Sequence, residues 1–291
     1  MILENLPQIL FYGIYLGSLY SLSALGLALI FGVMNILFVA QGTMIMLGAY
    51  ICFWLFHLFR VDPFLSVPLV LVFFFLFGVL VYRFFFSTMI KQEVEDKIKN
   101  SMLVAFGLAL LFENLVILGW TPNHRTVEPF YQGSGLNILR VRLPYVGLGS
   151  ILLAIVSIYA LHLFMKKTYL GKAIRATTQN WESAMLMGIN VHYTYAVSMA
   201  IGTALAAVAG VFVILNRGID PTIGMEWTIK ALIITILSGT GNIGGIFVCG
   251  LFFGVMESIC SMFTGLYYEL IGLALFLAIL IVKPQGLFGK G

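Results

Sequence analysis

Residues 64–86 read FLSVPLVLVFFFLFGVLVYRFFF, and their only charge is Arg83. A run this long and apolar can cross a bilayer as one helix. Each residue rises ~1.5 Å and the hydrocarbon core is ~30 Å thick, so roughly 20 residues suffice. The pattern repeats along the chain. Similar blocks stand at about 9–31, 36–56, 101–119, 146–165, 194–215, 226–239, 246–263 and 267–282. The spacing predicts an all-α polytopic membrane protein of eight to nine transmembrane helices, with 1–291 forming a single transmembrane domain. The block at 226–239 is short and runs into glycines, which predicts a broken or re-entrant helix near 226–245.

Composition agrees. The chain is 61% hydrophobic and 10% charged, whereas about a quarter of an ordinary soluble domain is charged. Little length is left for a separate soluble domain. Cys52, Cys249 and Cys260 lie in apolar blocks without metal-ligand spacing, and the four histidines are scattered, so no metal site is expected. A phosphate-cradling G-x-x-x-x-G-K-[ST] loop is missing as well, so nucleotide chemistry is not expected here. The net charge of +4 speaks to membrane topology rather than to nucleic acid. The opening MILENLPQILF lacks a basic n-region and a cleavage site, so the first block reads as a retained span.

Charge orients the blocks. Taken alternately, one side carries Arg83, Lys91, Lys97, Lys99, Lys166, Lys167, Lys172, Arg175, Lys283 and Lys290. The other carries Arg60, Arg125, Arg140, Arg142, Arg217 and Lys230. The richer side is expected in the cytoplasm, with the N-terminus outside and the C-terminus inside. Trp120, Trp227 and Tyr145 fall near block ends, where amphipathic rings favour the membrane interface.

Two connections are long. The outer one, about 120–145, ends in the alternating NILRVRLPYV, which predicts a short extended strand. The cytoplasmic one, 166–193, reads KKTYLGKAIRATTQNWESAMLMGINVHY. Its signals predict a helix of two to three turns. Thr178 or Asn180 caps it, Glu182 sits in the first turn, Gly188 ends it in a left-handed conformation and Ile189 folds back on it. Trp181, Ala184, Met185 and Gly188 share a face by their three- and four-residue spacing. That face suits a connector lying on the membrane or a docking element for a partner.

The segment AIRATTQNWESAMLMGINV resembles the cytoplasmic loop of permease subunits of ATP-binding-cassette importers, in particular the branched-chain amino-acid family of the LivH type. The resemblance rests on Arg175, Ala176, Glu182, Ala184, Gly188, Ile189 and Asn190. Three further stretches extend it: Gly202 and Gly210 in the next block, the run from Gly239 to Glu257, and KPQGLFGK at the end. The chain departs from the family at FVAQGT, residues 38–43, where the family usually carries N-F-A-H-G-E. The resemblance implies half of a translocation path for amino acids, most directly branched-chain ones, with urea, amides or another small solute as the alternative cargo. It implies a second permease subunit, two cytoplasmic ATPases that hold the ATP and Mg²⁺, and an extracytoplasmic binding protein. It also implies a multi-pass protein of the bacterial inner membrane that is not itself an enzyme. Trp181, Glu182, Ala184, Met185, Gly188 and Ile189 would then contact the ATPase. A stand-alone secondary transporter or channel is the competing class; it would need ion-coupling carboxylates, and only Glu113 and Glu257 come near.

Polar residues inside spans usually face protein or a water-filled path. Asn35, Gln41, Thr43, Glu113, Asn114, Gly239, Gly241 and Asn242 are therefore candidate path residues. Lys230 and Glu257 flank the glycine turn at similar depth and are expected to pair, the alternative being that Lys230 snorkels outward. Gly13 with Gly17, Gly241 with Gly245, and Gly250 with Gly254 form small-residue faces for close helix approach.

Overall fold

A computed structural model describes residues 2–89, 93–138, 141–239, 243–264, 268–283 and 286–288. The chain runs α1 (Ile2–Met34), α2 (Gln41–Phe59), α3 (Pro63–Val81), α4 (Val94–Trp120), β1 (Gly135–Ile138), β2 (Val141–Pro144), α5 (Tyr145–Lys167), α6 (Tyr169–Gln179), α7 (Trp181–Leu186), α8 (Val191–Arg217), α9 (Ile223–Ser238), α10 (Ile243–Thr264) and α11 (Tyr268–Val282). Among the described residues seven helices are long and apolar enough to cross a membrane, against the eight to nine expected: α1, α2, α3 with its continuation to Met89, α4, α5, α8 and α10. Helices α9 and α11, of 16 and 15 residues, are shorter. The protein is a multi-pass, all-α membrane protein.

Helices α1 and α8 form the centre. They meet at Gly26 and Gly202, where a Cβ on Gly26 would strike the Gly202 carbonyl. Around them the contacts are again made by small residues. Gly48 and Gly210 let α2 and α8 touch backbone to backbone. Gly78 brings α3 onto Ala200 of α8, and Gly13 and Gly17 of α1 pack against Gly250 and Gly254 of α10. Lipid tails are as apolar as leucine, so such close dispersion contacts, not apolar burial alone, hold spanning helices together. The expected Gly241–Gly245 face includes Gly241, which lies outside the described residues.

Local signals set the ends. Asp62 caps α3 by accepting from Phe64 N at 2.9 Å, and Pro63 occupies the first helical turn. The second apolar block was expected from residue 36, but α2 starts at Gln41. Asn35 adopts a left-handed backbone (φ 52°) after α1, and the chain runs irregularly to Ala40. The Gln41 amide donates to Ser23 O and Gly202 O, so α2 starts well inside the bundle, ~16 Å along α1 from Met34.

The outer loop carries two strands rather than one. β1 and β2 pair antiparallel, Leu136 opposite Leu143. The loop is tied down by Arg125, which exchanges two backbone hydrogen bonds with Ile219 and lays its guanidinium over the Phe53 and Trp54 rings. Tyr131 donates to Asp62 at 3.0 Å; burial first, then that carboxylate, pushes its phenol well above the ordinary value. Trp227, expected at the interface, is instead buried against Tyr20, with ring centroids 5.1 Å apart.

Candidate functional site

The connection after α5 holds two helices, not one. Thr168 Oγ1 accepts from Gly171 N at 2.9 Å and starts α6. Gly171 sits so close to α5 that a Cβ would meet Phe164 O and Met165 Cα. Ala173, Ile174 and Thr177 turn inward, so α6 lies against the bundle. Thr178 belongs to α6 and does not cap the next helix; its hydroxyl donates back to Ile174 O. Asn180 is extended (φ −159°) and separates the two, and its Oδ1 accepts from Ser183 N at 2.9 Å to cap α7.

At six residues, α7 is shorter than the two to three turns expected. Its end closes as the sequence suggests. Gly188 is left-handed (φ 81°), its N–H donates to Met185 O, and Ile189 N donates to Ala184 O. The expected shared face of Trp181, Ala184, Met185 and Gly188 divides in two. Ala184 is buried, and Trp181 and Ile189 are half-buried against the protein. Glu182, Met185, Leu186, Met187 and Gly188 point outward, with Leu186 88% exposed. The cause is length: a helix of six residues ends before the face that runs from Trp181 to Gly188 is complete.

Beneath α7 sits Lys97 of α4, only 2% exposed. Its ammonium lies 5.9 Å from the Trp181 ring centre and 5.8 Å from that of Tyr195 on α8. Both distances fall within cation–π range. Nearby, Tyr82 at the end of α3 shares a hydrogen bond of 3.1 Å with His192 Nδ1 at the start of α8. Lys97 thus joins the α4 base, the short helix and α8 in one contact.

A second polar cluster lies between α1, α9 and α10. Lys230 Nζ reaches Glu257 Oε1 at 3.1 Å and Tyr20 Oη at 3.2 Å, and it also pairs with Glu226 one turn earlier. Lys230 is 6% exposed and Glu257 3%, so the ammonium does not snorkel. Glu226 extends the cluster outward to Arg217 at 4.0 Å. Three anionic or dipolar oxygens around one ammonium meet the need of a buried charge for compensation.

The other candidates are dispersed. Gln41 and Thr43 are buried where α2 meets α1, α8 and α9. Between them Gly42 N donates to Thr228 Oγ1 at 2.9 Å, and Thr228 donates on to Val39 O. Asn35 lies at the far end of α1. Gly239 terminates α9 with φ 73°, while Gly241 and Asn242 lie outside the described residues. Glu113 is half-buried and Asn114 exposed on α4, where Asn114 Nδ2 donates to Leu110 O at 2.8 Å.

Residues 9–282 match the family model described as branched-chain amino acid transport system / permease component. The chain belongs to this permease family. The permease is 27% identical to the high-affinity branched-chain amino acid transport system permease protein BraD of Pseudomonas aeruginosa over 98% of both chains. It is 26% identical to the corresponding LivH of Escherichia coli, over 97% of this chain and 95% of that one. A probable LivH of Methanocaldococcus jannaschii is 28% identical over 99% and 95%. No solved structure matches.

Some residues of this candidate site carry little signal in the sequence. Leu186 and Met187 read as part of an apolar run, and only the short helix exposes them. Lys97 was counted among loop cations, because nothing near it in sequence announces Trp181 and Tyr195. Helix α6 did leave a signal: Leu170, Ala173, Ile174 and Thr177 recur at helical spacing.

Proposed function

We propose that this permease forms half of the translocation path of an ATP-binding-cassette importer for branched-chain amino acids. A second permease subunit completes the path, two cytoplasmic ATPases hold ATP and Mg²⁺, and an extracytoplasmic binding protein delivers the solute. Family membership over nearly the whole chain supports the class, and its similarity to branched-chain amino acid permeases favours that cargo over urea or amides. Orientation follows the basic residues, with the N-terminus outside, the C-terminus inside, and α6 and α7 on the cytoplasmic side of the inner membrane.

The observation that carries the reading is α7. A capped helix this short is not stable alone, yet it is held from behind by Ala184, Trp181 and Lys97 and presents Glu182, Met185, Leu186 and Met187 to the outside. Exposed apolar side chains on a braced element fit a groove on a motor subunit. Closure of the ATPase pair would press on α7. Lys97 would pass that displacement to α4, and the Trp181–Tyr195 contact would pass it to α8. Gln41 and Thr43 act from within, shaping the hinge between α1 and α2 and leaving solute contact to residues on the exposed side, such as Glu113 and Asn114.

The test is leucine-stimulated ATP hydrolysis of the reconstituted importer. Leu186→Asp should abolish stimulation and lower recovery of the ATPase with the permease, while the permease still reaches the membrane. Normal stimulation in that variant would overturn the assignment.

A further inference from the structure

A cavity of about 710 Å³ opens between α1, α5, α6 and α10, away from the Lys230 cluster and from the exposed side of α7. Its back wall is apolar and includes Ala28, Leu29 and Leu161. One edge is cationic: Lys166 from the last turn of α5 and Arg175 from the second turn of α6, with Gln179 one turn further on. Among the described residues no carboxylate lines it and neither cation is in an ion pair. The tight seat of Gly171 on α5 folds α6 back along the end of α5, so that Lys166 and Arg175 line the same cavity.

We propose that this cavity binds an anionic glycerophospholipid, its phosphate on Lys166 and Arg175 and one acyl chain along α1. Three observations favour lipid over a small soluble anion. The volume lies within the ~300–1,000 Å³ range of sites for drug-sized ligands, far more than a bare phosphate fills. The wall is mostly apolar, which suits a chain and not an inorganic ion. The flanking helices expose Leu152, Ile155 and Val156 on α5 and Val248 and Phe252 on α10, so the cavity lies beside surfaces that face lipid. Basic pockets between spanning helices at headgroup level recognise anionic lipids in this manner. A bound lipid would splint α6, and hence α7, against the membrane domain. The inference requires the protein to be in a membrane but does not rest on its cargo or partners.

Native mass spectrometry of the full-length permease tests it, with dioleoyl phosphatidylglycerol or dioleoyl phosphatidylcholine added in detergent. The wild type should retain phosphatidylglycerol preferentially. Each of Lys166→Gln and Arg175→Gln should weaken that retention about fivefold, and the pair about 25-fold, while phosphatidylcholine retention stays unchanged. The charge-keeping Lys166→Arg and Arg175→Lys should retain the lipid. Both side chains are exposed, so these changes should not unfold the protein; Ala28→Phe, which narrows the apolar wall, gives an independent arm and should reduce retention without altering charge. Equal retention of the two lipids, unchanged retention in the Gln pair, or displacement of phosphatidylglycerol by inorganic phosphate alone would each overturn the proposal. Because retention is read without transport, failure here leaves the importer reading untouched.

Discussion

Helices α4 and α8 are both 27 residues long, and both are apolar enough to span a membrane. Yet 89% of the apolar window of α8 is buried inside the protein, against 17% of that of α4. What separates them is side-chain size. The middle of α8 reads AIGTALAAVAG, while α4 reads MLVAFGLALLF. Small side chains let α8 touch α1, α2 and α3 backbone to backbone; the bulkier face of α4 meets lipid or a partner equally well. Hydropathy therefore identifies a span, and the distribution of glycine and alanine decides whether it is central.

The hardest test of that contrast is a matched pair of substitutions. Gly210 of α8 packs on the Ile45 carbonyl and Ala49 N of α2, whereas a Cβ on Gly107 of α4 would meet nothing within 4 Å. Gly210→Leu must push two helices apart and should abolish recovery of folded protein. Gly107→Leu should leave it within about 0.5 kcal/mol of wild type. Size-exclusion profiles and SDS-induced unfolding measure both. Equal damage from the two would show that small residues do not set the centre.

Charge sharpens the comparison next, since α9 and α10 bury theirs. Removing one partner of a buried ion pair costs about 3–5 kcal/mol. Lys230→Met strands Glu257 and should cost most. Glu257→Gln should cost less, because Glu226 still faces the ammonium. The double variant should recover part of the loss when unfolding is measured for all three. Simple additivity of the two single effects would mean that Lys230 and Glu257 do not depend on each other.

Much of this was legible beforehand. Among the described residues each of the nine apolar blocks falls on a helix, in order, and seven of those helices are long enough to cross a membrane. Asn180, Gly188 and Ile189 act as their sequence suggests, because caps and left-handed glycines are local matters. The approach of Lys230 to Glu257 followed from their similar depth on either side of the glycine run. What could not be read was lateral. Nothing in the neighbourhood of Trp227 says that Tyr20 awaits it, or near Lys97 that Trp181 and Tyr195 do. The split of α7 into inner and outer faces depended on where six residues land, which tertiary packing decides.

Lys97 is one of several points where α4 engages the core, beside Ser101, which accepts from Leu37 N, and Trp120, which stacks on Tyr50. Lys97→Gln should loosen α7 with little effect on the membrane helices. A desolvated cation–π contact is worth up to about 2 kcal/mol. The expected result is faster hydrogen exchange across 181–188 and weaker coupling of ATP hydrolysis to solute, with unfolding lowered by no more than about 2 kcal/mol. Unchanged exchange in α7 would show that Trp181 holds its place without the lysine.

The smallest effect is expected on the exposed side of α4. Asn114 bonds to Leu110 O one turn back, so its side chain is satisfied within its own helix and bridges to no other element among the described residues. Interhelical hydrogen bonds in membranes average ~0.6 kcal/mol, and this one is not interhelical. Asn114→Leu should therefore shift unfolding of the isolated chain by less than ~0.6 kcal/mol. Leucine transport by the assembled importer is the discriminating readout. The proposed solute contact at Asn114 predicts that transport falls; normal transport would show that this side of α4 faces only lipid. A pronounced loss of transport at unchanged stability would place Asn114, and half-buried Glu113 beside it, against the solute or the second subunit. In that case the low burial of α4 would reflect a partner surface, and the contrast with α8 would separate helices that build this subunit from one that serves its assembly.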